Sequence, residues 1–169
     1  MKHITILAPA GKANNLSSIV GAYKILTRAN EYWKANGNKE LYKIEVASAA
    51  GAVEYYDGLF AVKPHKHIAA ITGTDLIIIP SLNHNYDQAI KDNKELISWI
   101  ADRYKQGSEV ATICTGAFLL AASDLLDGKS CSTHWAADDH FKTMFPDVDV
   151  CLDKFITDEH GIYTNGGAY

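Results

Sequence analysis

Cys114 is the residue whose type and position most clearly suggest chemistry. It lies in EVATICTGAFLLA, residues 109–121, where a short apolar stretch typical of a buried strand meets a stretch with helical character. A side chain on such a sharp turn is held out of the sheet, and Gly116 leaves room for the chain to double back. We expect the helix to direct N–H groups at the sulfur and lower its pKa. The amide of Thr115 would be available to an oxyanion.

The spacing alone leaves two interpretations of Cys114 open. In the first, Cys114 is functional: its activated thiolate is a nucleophile, or it marks a pocket that tolerates anions at the start of a helix. The alternative is that Cys114 is a small apolar residue that fills space at the end of a buried strand, as most buried cysteines do. The elements around the turn therefore have to be considered.

Strands and helices alternate along the chain. Apolar runs predict strands at 3–8, 42–49, 75–80 and 109–113, and helical periodicity predicts helices at 16–36, 87–106, 115–126 and 136–144. Asp57 and Gly58 indicate a tight hairpin within 51–62, and short strands are expected at 131–134, 148–156 and 161–164. This order predicts an α/β fold with an open, doubly wound, mostly parallel sheet and helices on both faces. Ligands in such folds bind at the carboxyl ends of the strands, which here are the loops at 9–15, 80–86 and 114–116.

Composition narrows the function classes. With 169 residues, one domain is expected. A net charge of −4 with Arg28 and Arg103 as the only arginines gives little basis for DNA binding by this chain itself. The three cysteines contain no CxxC pair, which argues against a disulfide framework and a zinc ribbon and favours a reducing cytoplasm. We expect no membrane segment and no cofactor. We also expect no metal, since His65 and His67 have no third ligand nearby.

The segment ATICTGAFLLAASDLLDGK, together with STHW at 132–135, resembles a known family. It is similar to the class I glutamine amidotransferase-like domain of the ThiJ/PfpI superfamily, in the form that is fused to AraC-type transcriptional regulators. The similarity extends over all 169 residues, up to YTNGG near the end. The resemblance implies a flavodoxin-like sandwich, with Cys114 as the elbow cysteine and His134 as the histidine beside it.

The same resemblance also shows where the chain departs from catalytic members. Their acid on the first helix corresponds to Ser18, the histidine after the cysteine corresponds to Thr115, and their Gly-Gly turn corresponds to Ser81 and Leu82. A positioned acid or base contributes about 10²–10⁴ in rate and one oxyanion donor roughly 10²–10³. We therefore expect a catalytically degenerate site that still binds a ligand, and we assign to it Ser18, Ser81, Leu82, His84, Thr115 and Gly116.

The resemblance leads to a regulatory prediction. The chain would be the N-terminal ligand-sensing or dimerisation domain of an AraC-type regulator, forming a homodimer in the cytoplasm and binding a small effector. The natural gene would continue beyond residue 169 into a helix-turn-helix domain that binds DNA.

Two alternatives stay open. One is a cysteine-dependent amidase, hydrolase or glyoxalase-like enzyme that uses Cys114 as nucleophile and His134 as base or orienting group. The other is a redox switch in which the Cys114 thiolate is oxidised to a sulfenic acid.

Overall fold

A computed structural model describes residues 1–12 and 14–167 of the chain. It confirms the predicted α/β fold. A sheet of seven strands contains, in spatial order, β10 (Ile156–Asp158), β11 (Ile162–Asn165), β7 (Glu109–Thr112), β6 (Leu76–Ile79), β1 (Lys2–Leu7), β2 (Tyr42–Ser48) and β5 (Lys66–His67). All neighbours pair in parallel except β10 and β11, which are antiparallel at one edge.

Two pairs of short strands lie outside this sheet, one antiparallel and one parallel. The predicted hairpin at Asp57 and Gly58 is present, with β3 (Val53–Tyr55) antiparallel to β4 (Phe60–Val62). The strand β8 (Ser130–Cys131) is parallel to β9 (Asp149–Val150). The predicted strands at 131–134 and 148–156 are therefore shorter than the apolar pattern suggested.

Helices cover both faces of the sheet because strand side chains alternate between the faces. On β1, Ile6 packs in one apolar cluster with Ile19 of α1 (Leu16–Ala35) and with the hairpin. The adjacent residue, Leu7, packs in the opposite cluster with Ile77 and Ile79. That second cluster also buries residues of α2 (Tyr86–Asp92), α3 (Lys94–Lys105), α4 (Ala117–Ala121) and α5 (Asp138–Met144).

The helix predicted at 87–106 is divided into α2 and α3 at Asn93. The buried amide of Asn93 accepts a hydrogen bond from the Ala10 N–H at 2.7 Å, and it donates to the carbonyl oxygens of Ala10 and Ala89. These bonds join the end of α2 to the loop after β1. Periodicity did not predict this break, because it reports which residues are apolar and not which amide side chain bonds to a distant loop.

The helix predicted at 115–126 is also shorter than expected. A 3₁₀ turn, Cys114–Gly116, precedes the five residues of α4, and the segment after Ala121 forms turns. In the part of the chain that the structure describes, no helix combines the length and apolar character needed to cross a membrane.

Candidate functional site

The turn at Cys114 has the conformation of a nucleophile elbow. Cys114 has a backbone φ of 54°, in the left-handed region that a side chain with a Cβ seldom adopts. Gly116 passes so close to β6 that a Cβ there would lie 2.6 Å from the Pro80 carbonyl oxygen. Only glycine fits this approach, so the predicted role of Gly116 in letting the chain double back is consistent with the geometry.

Asn165 holds the elbow from the neighbouring strand. Its Oδ1 accepts a hydrogen bond from the Cys114 N–H at 3.2 Å, and its Nδ2 donates to the Thr112 carbonyl oxygen at 3.0 Å. Asn165 was not singled out in the sequence, although it lies in the YTNGG segment that the resemblance included. Its bonds join the last strand to the elbow and stabilise the unusual backbone conformation.

The loop after β6 is tied down by two hydroxyl groups. The Ser81 N–H donates to Ser18 Oγ at 3.0 Å. The Leu82 N–H donates to Thr115 Oγ1 at 2.9 Å, and that hydroxyl donates back to the Leu82 carbonyl oxygen at 2.7 Å. The two backbone amides of this loop are therefore already bonded to protein oxygens, at the positions where a Gly-Gly turn was expected in catalytic relatives.

The Cys114 thiol is almost completely buried, with 5 % of the residue exposed. Burial raises its pKa above the ordinary value, and the amide of Thr115 offsets that increase only in part. The Thr115 hydroxyl hydrogen is directed at Leu82 and so does little for the sulfur. The expectation that the helix start lowers the pKa of Cys114 was wrong, because desolvation outweighs the amide at a short 3₁₀ turn.

His134 is half-buried, and one of its ring nitrogens is already used. Its Nδ1 accepts a hydrogen bond from the Ala136 N–H at 3.1 Å, and its ring stacks on Trp135. A neutral imidazole that accepts at Nδ1 carries its proton at Nε2. His134 can therefore donate a hydrogen bond to a ligand from Nε2, but it has no free nitrogen to remove a proton from the Cys114 thiol.

Cys114 and His134 line one pocket of about 250 Å³ at the carboxyl ends of the strands. Six of the eight predicted site residues are brought together there, joined by three that lie in the predicted loops but were not named individually. The lining comprises Asn15, Ser81, Leu82, Asn83, His84, Tyr86, Cys114, Thr115 and His134. Ser18 and Gly116 are not among them, and their observed contacts are with the loop and with β6. Whether any of these residues binds a ligand stays a prediction.

Tyr86 reaches this pocket because its ring is fixed by the core. It stacks on Phe118 of α4, with ring centroids 3.8 Å apart and planes 12° apart. Burial, and secondarily the proximity of Cys114, raises the pKa of the Tyr86 hydroxyl. The lining contains no lysine, arginine, aspartate or glutamate, so the pocket is polar without a formal charge when its histidines are neutral. Among the described residues, no group of three potential metal ligands is present.

Comparisons with known proteins agree with this architecture. The model of the DJ-1/PfpI family matches residues 20–166. GbdR, an HTH-type transcriptional regulator from Pseudomonas aeruginosa, is 24% identical over 152 residues, covering 90% of this chain and 40% of that protein. The chain spans about two fifths of the length of the curated regulators it matches.

Solved structures show the same fold. A proposed transcriptional regulator from Vibrio parahaemolyticus superposes with a TM-score of 0.82 at 22% identity, over 99% of this chain and 85% of that one. An AraC family transcriptional regulator from Pseudomonas putida gives a TM-score of 0.74 at 16% identity, over 99% and 84% of the two chains. The family match over residues 20–166 confirms the predicted resemblance to ThiJ/PfpI domains.

Proposed function

The chain belongs to the DJ-1/PfpI family, and from that premise we propose that it is the N-terminal ligand-sensing domain of an AraC-type transcriptional regulator. The similarity to HTH-type regulators such as GbdR supports this assignment. In this proposal the chain acts in the cytoplasm as a homodimer, and it meets DNA only through a helix-turn-helix domain encoded beyond residue 169. It requires no cofactor.

The observation that carries the proposal is the hydrogen bonding of the loop after β6. Ser18 accepts from the Ser81 N–H, and Thr115 accepts from the Leu82 N–H. An amide that stabilises an oxyanion has to be free in the resting protein, and one such donor is worth roughly 10²–10³ in rate. A raised pKa at Cys114 and a His134 without a free basic nitrogen remove two further contributions. The site is therefore better suited to binding than to catalysis.

The pocket offers suitable contacts for a small effector. His134 can donate from Nε2, His84 is exposed at the rim, and the buried ring of Tyr86 provides an apolar surface. An effector that binds one dimer arrangement more tightly than another would shift the populations of the two. The spacing of the DNA-binding domains would change with them.

A metabolite screen by thermal shift tests the proposal. We expect at least one small metabolite to raise the melting temperature of the wild-type chain and of His160→Ala, a variant outside the pocket, and to have a smaller effect on His134→Ala. With the full-length gene product, the same metabolite should change promoter binding. The proposal fails if no metabolite stabilises the chain and the full-length protein binds its promoter equally under all conditions.

A cysteine hydrolase is the second candidate. It is favoured by the left-handed backbone of Cys114 and by the presence of Cys114 and His134 in one pocket. Wild type and Cys114→Ser should be compared on amides, esters and dicarbonyl compounds. Rates that depend on Cys114 would support the enzyme, and equal rates would reject it.

A further inference from the structure

The start of α1 lies at the wall of the Cys114 pocket. Asn15 is the N-cap residue of this helix and belongs to the pocket lining, and its backbone N–H donates to the Ser81 carbonyl oxygen at 3.1 Å. α1 has 20 residues and no acidic side chain in its first turn. The positive end of the helix dipole therefore lies beside the pocket, and no negative side chain of that turn offsets it.

Three side chains of the lining each have a hydrogen-bond donor without a partner among the described residues. Asn15 Oδ1 accepts from the Ser17 N–H at 3.0 Å, which assigns the orientation of the amide and leaves Nδ2 to donate. His134 Nδ1 accepts from the Ala136 N–H, which leaves the proton on Nε2. Tyr86 is 6 % exposed, and its hydroxyl makes no hydrogen bond. None of these three donor atoms is fully buried, so a ligand in the pocket can reach them.

The position of the Tyr86 hydroxyl is fixed by the core. Its ring stacks on Phe118, with ring centroids 3.8 Å apart. Burial, and secondarily a negative charge on the nearby Cys114 sulfur, raises the pKa of the hydroxyl. The hydroxyl therefore lies near the sulfur, stays protonated at neutral pH and can donate a hydrogen bond.

The rest of the lining restricts the charge and the size of the ligand. Ser81, Asn83 and His84 can each donate as well as accept, and the lining contains no carboxylate to hold a cation. It also contains no lysine or arginine, the side chains that usually bind a doubly charged phosphate. A carboxylate has one negative charge and two acceptor oxygens. A pocket of about 250 Å³ holds only a small molecule, so the three donors are within reach of one ligand.

We propose that the Cys114 pocket binds a small monocarboxylate, whose oxygens accept hydrogen bonds from Asn15 Nδ2, His134 Nε2 and Tyr86 Oη beside the start of α1. This inference rests on the ligand-sensing function proposed above, and it names the chemical class of the effector. Binding of the carboxylate involves no reaction at Cys114.

The test is a titration of the ¹⁵N-labelled chain with sodium butyrate at constant ionic strength, followed by amide chemical shifts. Butyramide is the matched probe, because it has nearly the same size and shape without the charge. We expect butyrate to cause saturable shifts at Ser17, Thr115 and Ala136, and butyramide to bind about tenfold more weakly. The inference is overturned if butyramide binds as well as butyrate, or if butyrate does not bind.

Further outcomes separate this inference from the proposed function. Suppose that a metabolite without a carboxylate binds the Cys114 pocket and changes promoter binding by the full-length gene product. Ligand sensing would then stand, and the carboxylate class would be overturned. If butyrate binds the pocket but no metabolite changes promoter binding, the carboxylate class stands and the sensing function fails.

Two variants and one control identify the contacts. Asn15→Asp keeps the N-cap acceptor Oδ1 but replaces the Nδ2 donor with a carboxylate oxygen. It should keep the urea midpoint of wild type and weaken butyrate binding at least about tenfold. Asn38→Asp makes the same change of charge beyond the other end of α1, and it should not affect binding. Tyr86→Phe keeps the stacked ring and should weaken binding about tenfold. Unchanged butyrate affinity in Asn15→Asp would overturn the inference.

Discussion

The hydroxyl of Ser18 accepts a hydrogen bond from the backbone N–H of Ser81 at 3.0 Å while it donates to the Asn15 carbonyl oxygen at 2.9 Å. This pair connects the first helix to the loop after β6. Ser18, which we predicted to correspond to the acid of catalytic relatives, thus fixes the loop by accepting a hydrogen bond from the Ser81 amide. Both hydrogen bonds of the Ser18 hydroxyl are to the protein backbone.

Replacing Ser18 should therefore cost stability. We expect Ser18→Ala to lower the free energy of unfolding by about 1–3 kcal/mol, because the buried Ser81 N–H would lose its acceptor. Urea denaturation followed by circular dichroism measures this change. Ser17→Ala is the matched control, since the Ser17 side chain is exposed on the same turn, and it should change the free energy of unfolding by no more than about 0.5 kcal/mol. Equal losses in the two variants would contradict the assigned role of Ser18.

Thr115 can be tested with a pair of variants of similar size. Thr115→Val removes the hydroxyl that bonds to both the N–H and the carbonyl oxygen of Leu82, and we expect a loss of about 2–4 kcal/mol in the free energy of unfolding. Thr115→Ser keeps the hydroxyl, so it should retain most of the stability of wild type. The same urea experiment applies. A serine variant as unstable as the valine variant would show that the methyl group, not the hydrogen bonds, is responsible.

The reactivity of the three cysteines follows from burial. At pH 7.5 we expect iodoacetamide to modify the half-buried Cys151 faster than Cys114, because Cys114 is nearly inaccessible and burial raises its pKa. Alkylation of Cys114 should accelerate steadily as the pH is raised above 7.5, since the thiolate fraction grows as the pH approaches the raised pKa. Peptide mass spectrometry quantifies both sites, and in urea the difference should disappear. Preferential modification of Cys114 at neutral pH, by iodoacetamide or by mild peroxide, would instead favour the redox alternative.

The raised pKa of Cys131 predicts how the free energy of unfolding depends on pH. Burial raises its pKa from 9.0 to about 12. Below pH 9 the Cys131 thiol is neutral in both the folded and the unfolded state, so its full contribution to the free energy of unfolding is present. As the pH rises from 9 towards 12, only the unfolded state ionises, and this contribution falls by about 1.4 kcal/mol per pH unit. The stability difference between wild type and Cys131→Ala, measured by urea denaturation from pH 8 to 10.5, should shrink accordingly, and a constant difference would contradict the pKa direction.

Much of this molecule could be predicted from local pattern. The apolar runs at 75–80 and 109–113 identified the central strands, and the order of elements gave the sheet type, because buried parallel strands have few alternatives. The composition of the Cys114 pocket could largely be predicted too, since strand ends meet at one edge. The pKa direction at Cys114 could not, because it depends on how deeply the folded chain buries the sulfur.

The contacts that the sequence did not predict are side-chain bonds between distant segments. Asn93 divides a helix by bonding to Ala10, and Asn165 holds Cys114 across 51 residues. An asparagine has the same ordinary turn and loop preferences in either case, so its type does not identify the partner. Tyr86 was missed for a related reason, because only its stacking on Phe118 directs it to the pocket.

The bond from Asn165 offers the most direct test of what maintains the elbow. Asn165→Ala removes the acceptor of the Cys114 N–H and the donor to the Thr112 carbonyl oxygen, and we expect a loss of about 1–3 kcal/mol in the free energy of unfolding. Asn165→Asp keeps the acceptor at Oδ1 but turns a carboxylate oxygen towards the Thr112 carbonyl oxygen, so it should also be less stable than wild type. Without its restraint, the left-handed backbone at Cys114 should relax, and the thiol in Asn165→Ala should be alkylated faster under native conditions. Loss of stability without faster alkylation of Cys114 would mean that the core around α4, and not Asn165, holds the sulfur in place.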